Sequence, residues 1–245
     1  MKSDSRHSIL HVIPFWITIA LIITFAILFN PDPAIADTDS YLSYLSPSLD
    51  YLTVVNESHP YEFGGDYDTA LQDRLVYLPD VYGEATPVEA ATASAFQSLQ
   101  ADLAEKGTII GLYVGYMTAE DQSASYDYYS SIEDWNNTNT LKQAGYSEHH
   151  TGLMLNILIW HKGPEDAVPI WYTETAARQE SIPEFAIVHQ TLANHGFIDR
   201  YPAGKESITG TKCEPFEIRF VGSPEIAHAI MDNNLTLEEY LNITP

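Results

Sequence analysis

Cysteine and positive charge are what this chain has least of. Its 245 residues include one cysteine, Cys213, so no internal disulfide can form and a zinc site built from several thiolates is excluded. Lysine and arginine number 11 against 34 aspartates and glutamates, a formal net charge of −23. A field of that sign repels phosphate backbones, which argues against nucleic acid as a partner. It suits a soluble, monomeric domain. Internal repeats and long low-complexity tracts are also missing. What the chain does have is 45% hydrophobic and 12% aromatic residues, enough for one domain with a sizeable core.

Lys2 and Arg6 precede an apolar run from Ile9 to Phe29, interrupted mildly by His11 and Pro14. Such a run can cross a hydrocarbon core of about 30 Å. Positive residues before it and acidic ones after it orient the following domain outward. Asn30-Pro31-Asp32-Pro33 then stops any helix, and Ala34-Ile35-Ala36 fits a signal-peptidase site. Residues 1–36 are expected to be a membrane anchor or a cleaved signal, the length favouring the anchor, and residues 37–50 a short stalk. Either way the domain formed by residues 51–245 is expected outside the cytoplasm, held to the membrane through residues 9–29 or secreted after Ala36.

Within the domain, Tyr51 to Val55 reads as a short strand. Thr86-Pro87-Val88 reads as a helix start, since proline suits the first helical position, and Gly107 as that helix's stop. Ile109 to Tyr113 is expected to be a strand and Thr118 to Tyr129 a second helix. Gly152 to Trp160 is an apolar run of strand length, and Glu184 to Asn194 a helix stopped by Gly196. In Glu214 to Val221, Phe216, Ile218 and Phe220 alternate with Glu217 and Arg219, the pattern of a half-buried strand. Pro224 to Tyr240 reads as helical. Helices and strands mix without regular alternation, so the fold class is α+β, a small antiparallel sheet flanked by helices.

Two segments carry chemistry. In Ser147-Glu148-His149-His150-Thr151-Gly152-Leu153-Met154-Leu155-Asn156, a histidine precedes an asparagine by seven positions. In Glu214-Pro215-Phe216-Glu217-Ile218-Arg219-Phe220-Val221-Gly222, two carboxylates lie three apart. In a strand such a pair points to opposite faces unless a bulge or strand end intervenes. The residue types alone fit a metal site, an acid–base pair or a solvated face.

Ordered blocks narrow this. Leu52-Thr53-Val54-Val55-Asn56-Glu57-Ser58-His59-Pro60, Gly115-Tyr116-Met117-Thr118, the Ser147–Asn156 segment, Gly196-Phe197-Ile198-Asp199-Arg200-Tyr201-Pro202, the Glu214–Gly222 segment and Leu235 to Leu241 occur in sequence. Together they resemble the VanY-type D-alanyl-D-alanine carboxypeptidases, LAS zinc peptidases acting on peptidoglycan cross-link peptides. The resemblance implies zinc held by the histidine of Ser-x-His-x-x-Gly-x-x-x-Asp, by its aspartate, and by the histidine of Glu-Pro-Trp-His. It implies that the glutamate of the latter motif is the general base, and that the arginine of Ser-Gly-Tyr-Arg steadies substrate and oxyanion. Zinc prefers imidazole and carboxylate donors with one open position, where it acidifies a water; a nearby carboxylate takes that water's proton.

Carried over, His149 keeps the first metal position and Glu214 the base, while Ser147, Tyr116 and Gly152 keep positions expected to shape substrate binding. Three positions depart. Asn156 replaces the aspartate ligand, Glu217 the histidine ligand, and Met117 the arginine. An amide oxygen is a poor zinc donor, and a thioether cannot donate to an anion. The expectation is a cell-surface protein directed at peptidoglycan stem peptides with impaired catalysis. The alternative is an active peptidase with a rearranged His149/Asn156/Glu217 metal site.

Overall fold

The computed structural model describes residues 49–132, 141–162, 167–170 and 183–243. They belong to one compact unit, Leu49–Pro245. The apolar run at 9–29, the proline break and the stalk expected up to Ser48 lie outside the described residues. Among those described, no helix is long and apolar enough to cross a membrane.

Among the described residues the first element is helix α1 (Asp66–Gln72), then a hairpin of β1 (Leu75–Pro79) and β2 (Ala85–Glu89). Helix α2 (Ala90–Glu105), strand β3 (Ile109–Val114) and helix α3 (Ala119–Ser130) follow. A 3₁₀ turn, Glu148–Thr151, leads into the long β4 (Met154–Lys162), and β5 (Ala167–Ile170) pairs back on it. Next come α4 (Pro183–Leu192), β6 (Phe197–Asp199), the one-turn α5 (Glu206–Thr209), β7 (Glu217–Phe220), α6 (Pro224–Met231) and α7 (Leu237–Leu241). The main sheet runs β3-β4-β7-β6, with β5 also on β4, and every pairing is antiparallel. This is the expected α+β architecture with small antiparallel sheets.

Strand alternation sorts the sheet's two faces. Leu155, Ile157 and Ile159 of β4 join Ile110 and Leu112 of β3 and Ile218 and Phe220 of β7 in the main core, under Phe96, Leu99 and Leu103 of α2 and Val188 and Leu192 of α4. Full burial of each such side chain contributes about 1.5–3 kcal/mol. Because successive strand residues point to opposite faces, Met154 and Asn156 of β4 and Glu217 of β7 turn away from this core. A second cluster, with Val54, Ile198, Val221, Ile230 and Leu237, seats α6 and α7.

Three expectations about elements are corrected. Thr86-Pro87-Val88 is strand, not helix: it pairs with β1, and α2 starts only at Ala90, where the Glu89 side chain accepts from Thr92 N. Pro87 is tolerated because a proline costs no ladder bond on an edge strand. Tyr51 to Val55 is irregular, since its backbone bonds to side chains: Val55 N donates to Glu148 and Thr53 O accepts from Arg219. The helix expected over Pro224 to Tyr240 is two, α6 and α7, with Asn234 at positive φ between them.

Candidate functional site

His149 sits in the 3₁₀ turn between Ser147 and Gly152. Ser147 caps the turn, its Oγ accepting from His149 N at 3.3 Å. Gly152 ends it at φ +69°, where a Cβ would also meet Leu71 Cδ1 at 3.0 Å, so glycine is required on both counts. The imidazole is oriented from behind. Its Nδ1 lies 2.8 Å from the Gly115 carbonyl oxygen. A carbonyl can only accept, so Nδ1 carries a hydrogen and the ring turns its Nε2 edge outward. Gly115 allows this approach because its own backbone is tight: a Cβ there would lie 2.4 Å from the Pro87 carbonyl oxygen.

Nε2 faces β7, 3.8 Å from Oε1 of Glu217. The β4–β7 register sets Asn156 directly opposite Glu217, and Asn156 is 1% exposed. Glu214 lies before the strand, in a turn closed by Glu217 N donating to Glu214 O at 3.0 Å. The strand is thus shorter than the alternation suggests, and its late start lets two glutamates three apart line one cleft.

That cleft, about 390 Å³, is lined by Ser147, His149, Asn156, Glu214, Glu217 and Met117, with Tyr113, Tyr129, Lys142 and Tyr201 among the rest. Burial pushes the Tyr113 and Tyr201 phenols up, keeping them protonated donors. Tyr116 and Gly152 are not among the lining residues. Tyr116 accepts from Gln72 Nε2 at 3.0 Å, and Gly152 packs on Leu71 and Glu89. His150 is fully buried and engaged on both nitrogens. Nδ1 donates to Met117 O at 2.7 Å, and Nε2 accepts from Gly145 N at 3.0 Å. It fixes the turn instead of entering the cleft.

Sequence patterning did not disclose what holds the turn to the sheet. Glu148, between Ser147 and His149, is fully buried with Arg200, Arg219 and Glu238. Arg219 Nε lies 3.0 Å from Glu148 Oε2 and Arg200 Nη2 2.9 Å from Glu148 Oε1. Arg200 also grips both oxygens of Glu238, at 3.1 and 2.6 Å. Burial alone would raise the Glu148 pKa, but the two guanidiniums outweigh it and hold the carboxyl below its ordinary value. Two cations and two anions cancel, and the network ties the His149 turn to β7 and α7. The signal in sequence was the arginines of Gly196–Pro202 and Glu214–Gly222, which carried no assigned role.

The donor set can be judged against zinc on its chemistry. His149 and Glu217 are competent donors, and their 3.8 Å separation is near the roughly 3.4 Å between two ligands about 2.1 Å from a tetrahedral ion. The third place falls to the Asn156 amide, a neutral oxygen suited to harder ions. Among the described residues, no three His, Cys, Asp or Glu side chains come together as a metal set. The residues present do not reproduce a three-ligand zinc site.

Comparison with known proteins agrees with this architecture. The chain is 29% identical over 201 residues to VanXYC of Enterococcus gallinarum, a bifunctional D-Ala-D-Ala dipeptidase and carboxypeptidase, covering 78% of this chain and 94% of that protein. It is 34% identical over 99 residues to a D-alanyl-D-alanine carboxypeptidase of Enterococcus faecium, 40% of this chain and 27% of that one. The fold superposes on VanYB in complex with D-alanine-D-alanine at a TM-score of 0.60 and 25% identity, covering 78% of this chain and 97% of the other. A VanY D,D-pentapeptidase in complex with Zn(II) matches at 0.60 and 25%, over 78% and 99%. The VanY family, D-alanyl-D-alanine carboxypeptidase, matches residues 86–223, more than half of the sequence, and the chain belongs to that family.

Proposed function

We propose that this chain is a VanY-family protein whose cleft binds peptidoglycan stem peptides ending in D-alanine, and that its own hydrolytic chemistry is impaired. The observation that carries the proposal is convergence: Asn156, Glu217 and Met117, the three departures from the family pattern, all line the same cleft as His149 and Glu214. Changes at scattered positions would leave chemistry intact; these remove one imidazole, one charged oxygen and one guanidinium from a single site. Loss of one preorganised oxyanion contact costs on the order of 10² to 10³ in rate, and loss of the activated water costs more. The binding part survives such changes, because Ser147 and the protonated Tyr113 and Tyr201 still offer donors. We place the domain outside the cytoplasm as a monomer, tethered through residues 9–29 or released after Ala36.

Elemental analysis of the purified full-length protein, with an assay of D-alanine release from a stem pentapeptide, tests the reading. The expected result is substoichiometric zinc and no release, with both restored by combining Met117→Arg, Asn156→Asp and Glu217→His. One observation favours a second reading: the 3.8 Å approach of His149 Nε2 to Glu217 would suit a cation held by imidazole, amide and carboxylate. Stoichiometric zinc with D-alanine release from the unaltered chain would establish that reading and overturn impairment.

A further inference from the structure

The cleft that sets Glu214 and Glu217 beside His149 has, among the described residues, one lysine or arginine in its wall, Lys142. In a chain with 11 such residues against 34 acidic ones, its placement needs a reason. Arg200 and Arg219 are nearby but committed: both are fully buried and paired with Glu148 or Glu238. Lys142 is half-buried, and among the described residues its ammonium makes no hydrogen bond or ion pair. Its backbone is anchored, since Gln122 Nε2 on α3 donates to the Lys142 carbonyl at 2.7 Å, and Gln122 is itself 7% exposed in the same wall. Its stem therefore starts from a fixed point and ends beside the cleft. Burial pulls the ammonium below the ordinary lysine value, while Glu57 and Glu217 act to raise it.

Met117 lines the same cleft and cannot donate a hydrogen bond. A peptide with a free C-terminus entering here would bring a carboxylate against Glu214 and Glu217. Without a cation, like charges would expel it. We propose that Lys142 is the specificity-determining contact for a free peptide carboxylate in this cleft. It supplies a charge-assisted hydrogen bond from a side chain outside the family's motif blocks. The assignment rests on the stem-peptide reading above and adds the residue that selects free C-termini. An ammonium on a four-carbon stem offers one donor at a time to an oxygen, where a guanidinium would bind both. The selection it gives is one of charge more than of geometry.

The test is isothermal titration of the full-length protein with L-Lys-D-Ala-D-Ala and with the same peptide as its C-terminal amide. The unaltered protein is expected to favour the acid by about tenfold or more. Lys142→Met should abolish the preference and Lys142→Arg retain it. Equal affinity for acid and amide in the unaltered protein overturns the assignment while leaving peptide binding standing. So does a preference that persists in Lys142→Met, which would make Lys142 only a counter-charge for Glu217. Binding of neither peptide overturns the stem-peptide reading itself, and the assignment with it.

Discussion

Nε2 of His149 lies 3.8 Å from Oε1 of Glu217, the imidazole edge facing the carboxylate. The Gly115 carbonyl fixes this arrangement by accepting a hydrogen bond from Nδ1–H, the kind of second contact that orients a metal-binding imidazole. An ion-ready histidine thus remains while its partners have changed. Restoring the partners should therefore restore zinc affinity on a histidine that is already oriented. Asn156→Asp with Glu217→His is expected to tighten zinc binding by on the order of 100-fold or more, measured by competition with a chromophoric chelator. Equal affinity before and after would mean that the two positions do not converge on one ion.

The Glu148–Arg200–Arg219–Glu238 network predicts a stability effect out of proportion to its surface visibility. Removing one partner from a buried ion pair leaves an uncompensated charge, a cost of about 3–5 kcal/mol. Arg219→Met removes the Nε contact to Glu148 and the Nη2 contact to the Thr53 carbonyl together. The midpoint of denaturant unfolding should fall accordingly. A change under about 1 kcal/mol would show that the network relaxes around the loss.

The parts of the fold written in local pattern were the ones legible in sequence. The apolar run of β4, the alternation in β7 and the helix expected from Thr118 depend on residues near one another, so local pattern reports them. Pro87 was misread because a proline that suits a helix start also suits an edge strand, and only pairing with β1 decides. Tyr51 to Val55 looked like a strand, yet its hydrogen-bond partners are side chains far along the chain. The cleft followed the same rule. His149 and Glu214 were marked by motif, whereas Lys142 lies in a stretch without pattern and is placed by Gln122, twenty residues earlier. Nothing local could show that Glu217 opens its strand and so shares a cleft with Glu214.

A buried histidine, His150, and a half-buried one, His189, predict pH dependences of opposite sign. Burial lowers the His150 pKa from its ordinary value near 6.5, so the folded state holds it neutral. Below that value the unfolded chain binds the proton first, and the contribution of His150 declines as pH falls. For His189, burial also lowers the pKa, but Asp199 outweighs it and the net shift is upward. Its contribution is complete below about 6.5 and fades as pH rises through the folded value. Unfolding free energies of His150→Gln and His189→Gln, each compared with the unaltered protein between pH 5 and 8, should diverge accordingly. The His150 difference should grow with pH and the His189 difference should shrink. Parallel profiles would refute both assignments.

Gly115 joins the fold to the site most directly. Its missing side chain lets β3 end against the Pro87 carbonyl, and its own carbonyl holds His149. In Gly115→Ala the added Cβ would lie 2.4 Å from the Pro87 backbone oxygen, so one strand must shift. Overpacking of this kind costs about 1–3 kcal/mol, a moderate loss the domain should survive. The shift also pulls the carbonyl away from Nδ1, which frees the imidazole to rotate. Peptide affinity and any residual zinc affinity should therefore fall by more than the loss of stability explains. Calorimetry on the folded variant at low temperature measures the first, and chelator competition the second. A folded Gly115→Ala protein with unchanged affinity for both would mean that His149 is held by the Ser147 turn alone, and that the Gly115 contact is dispensable.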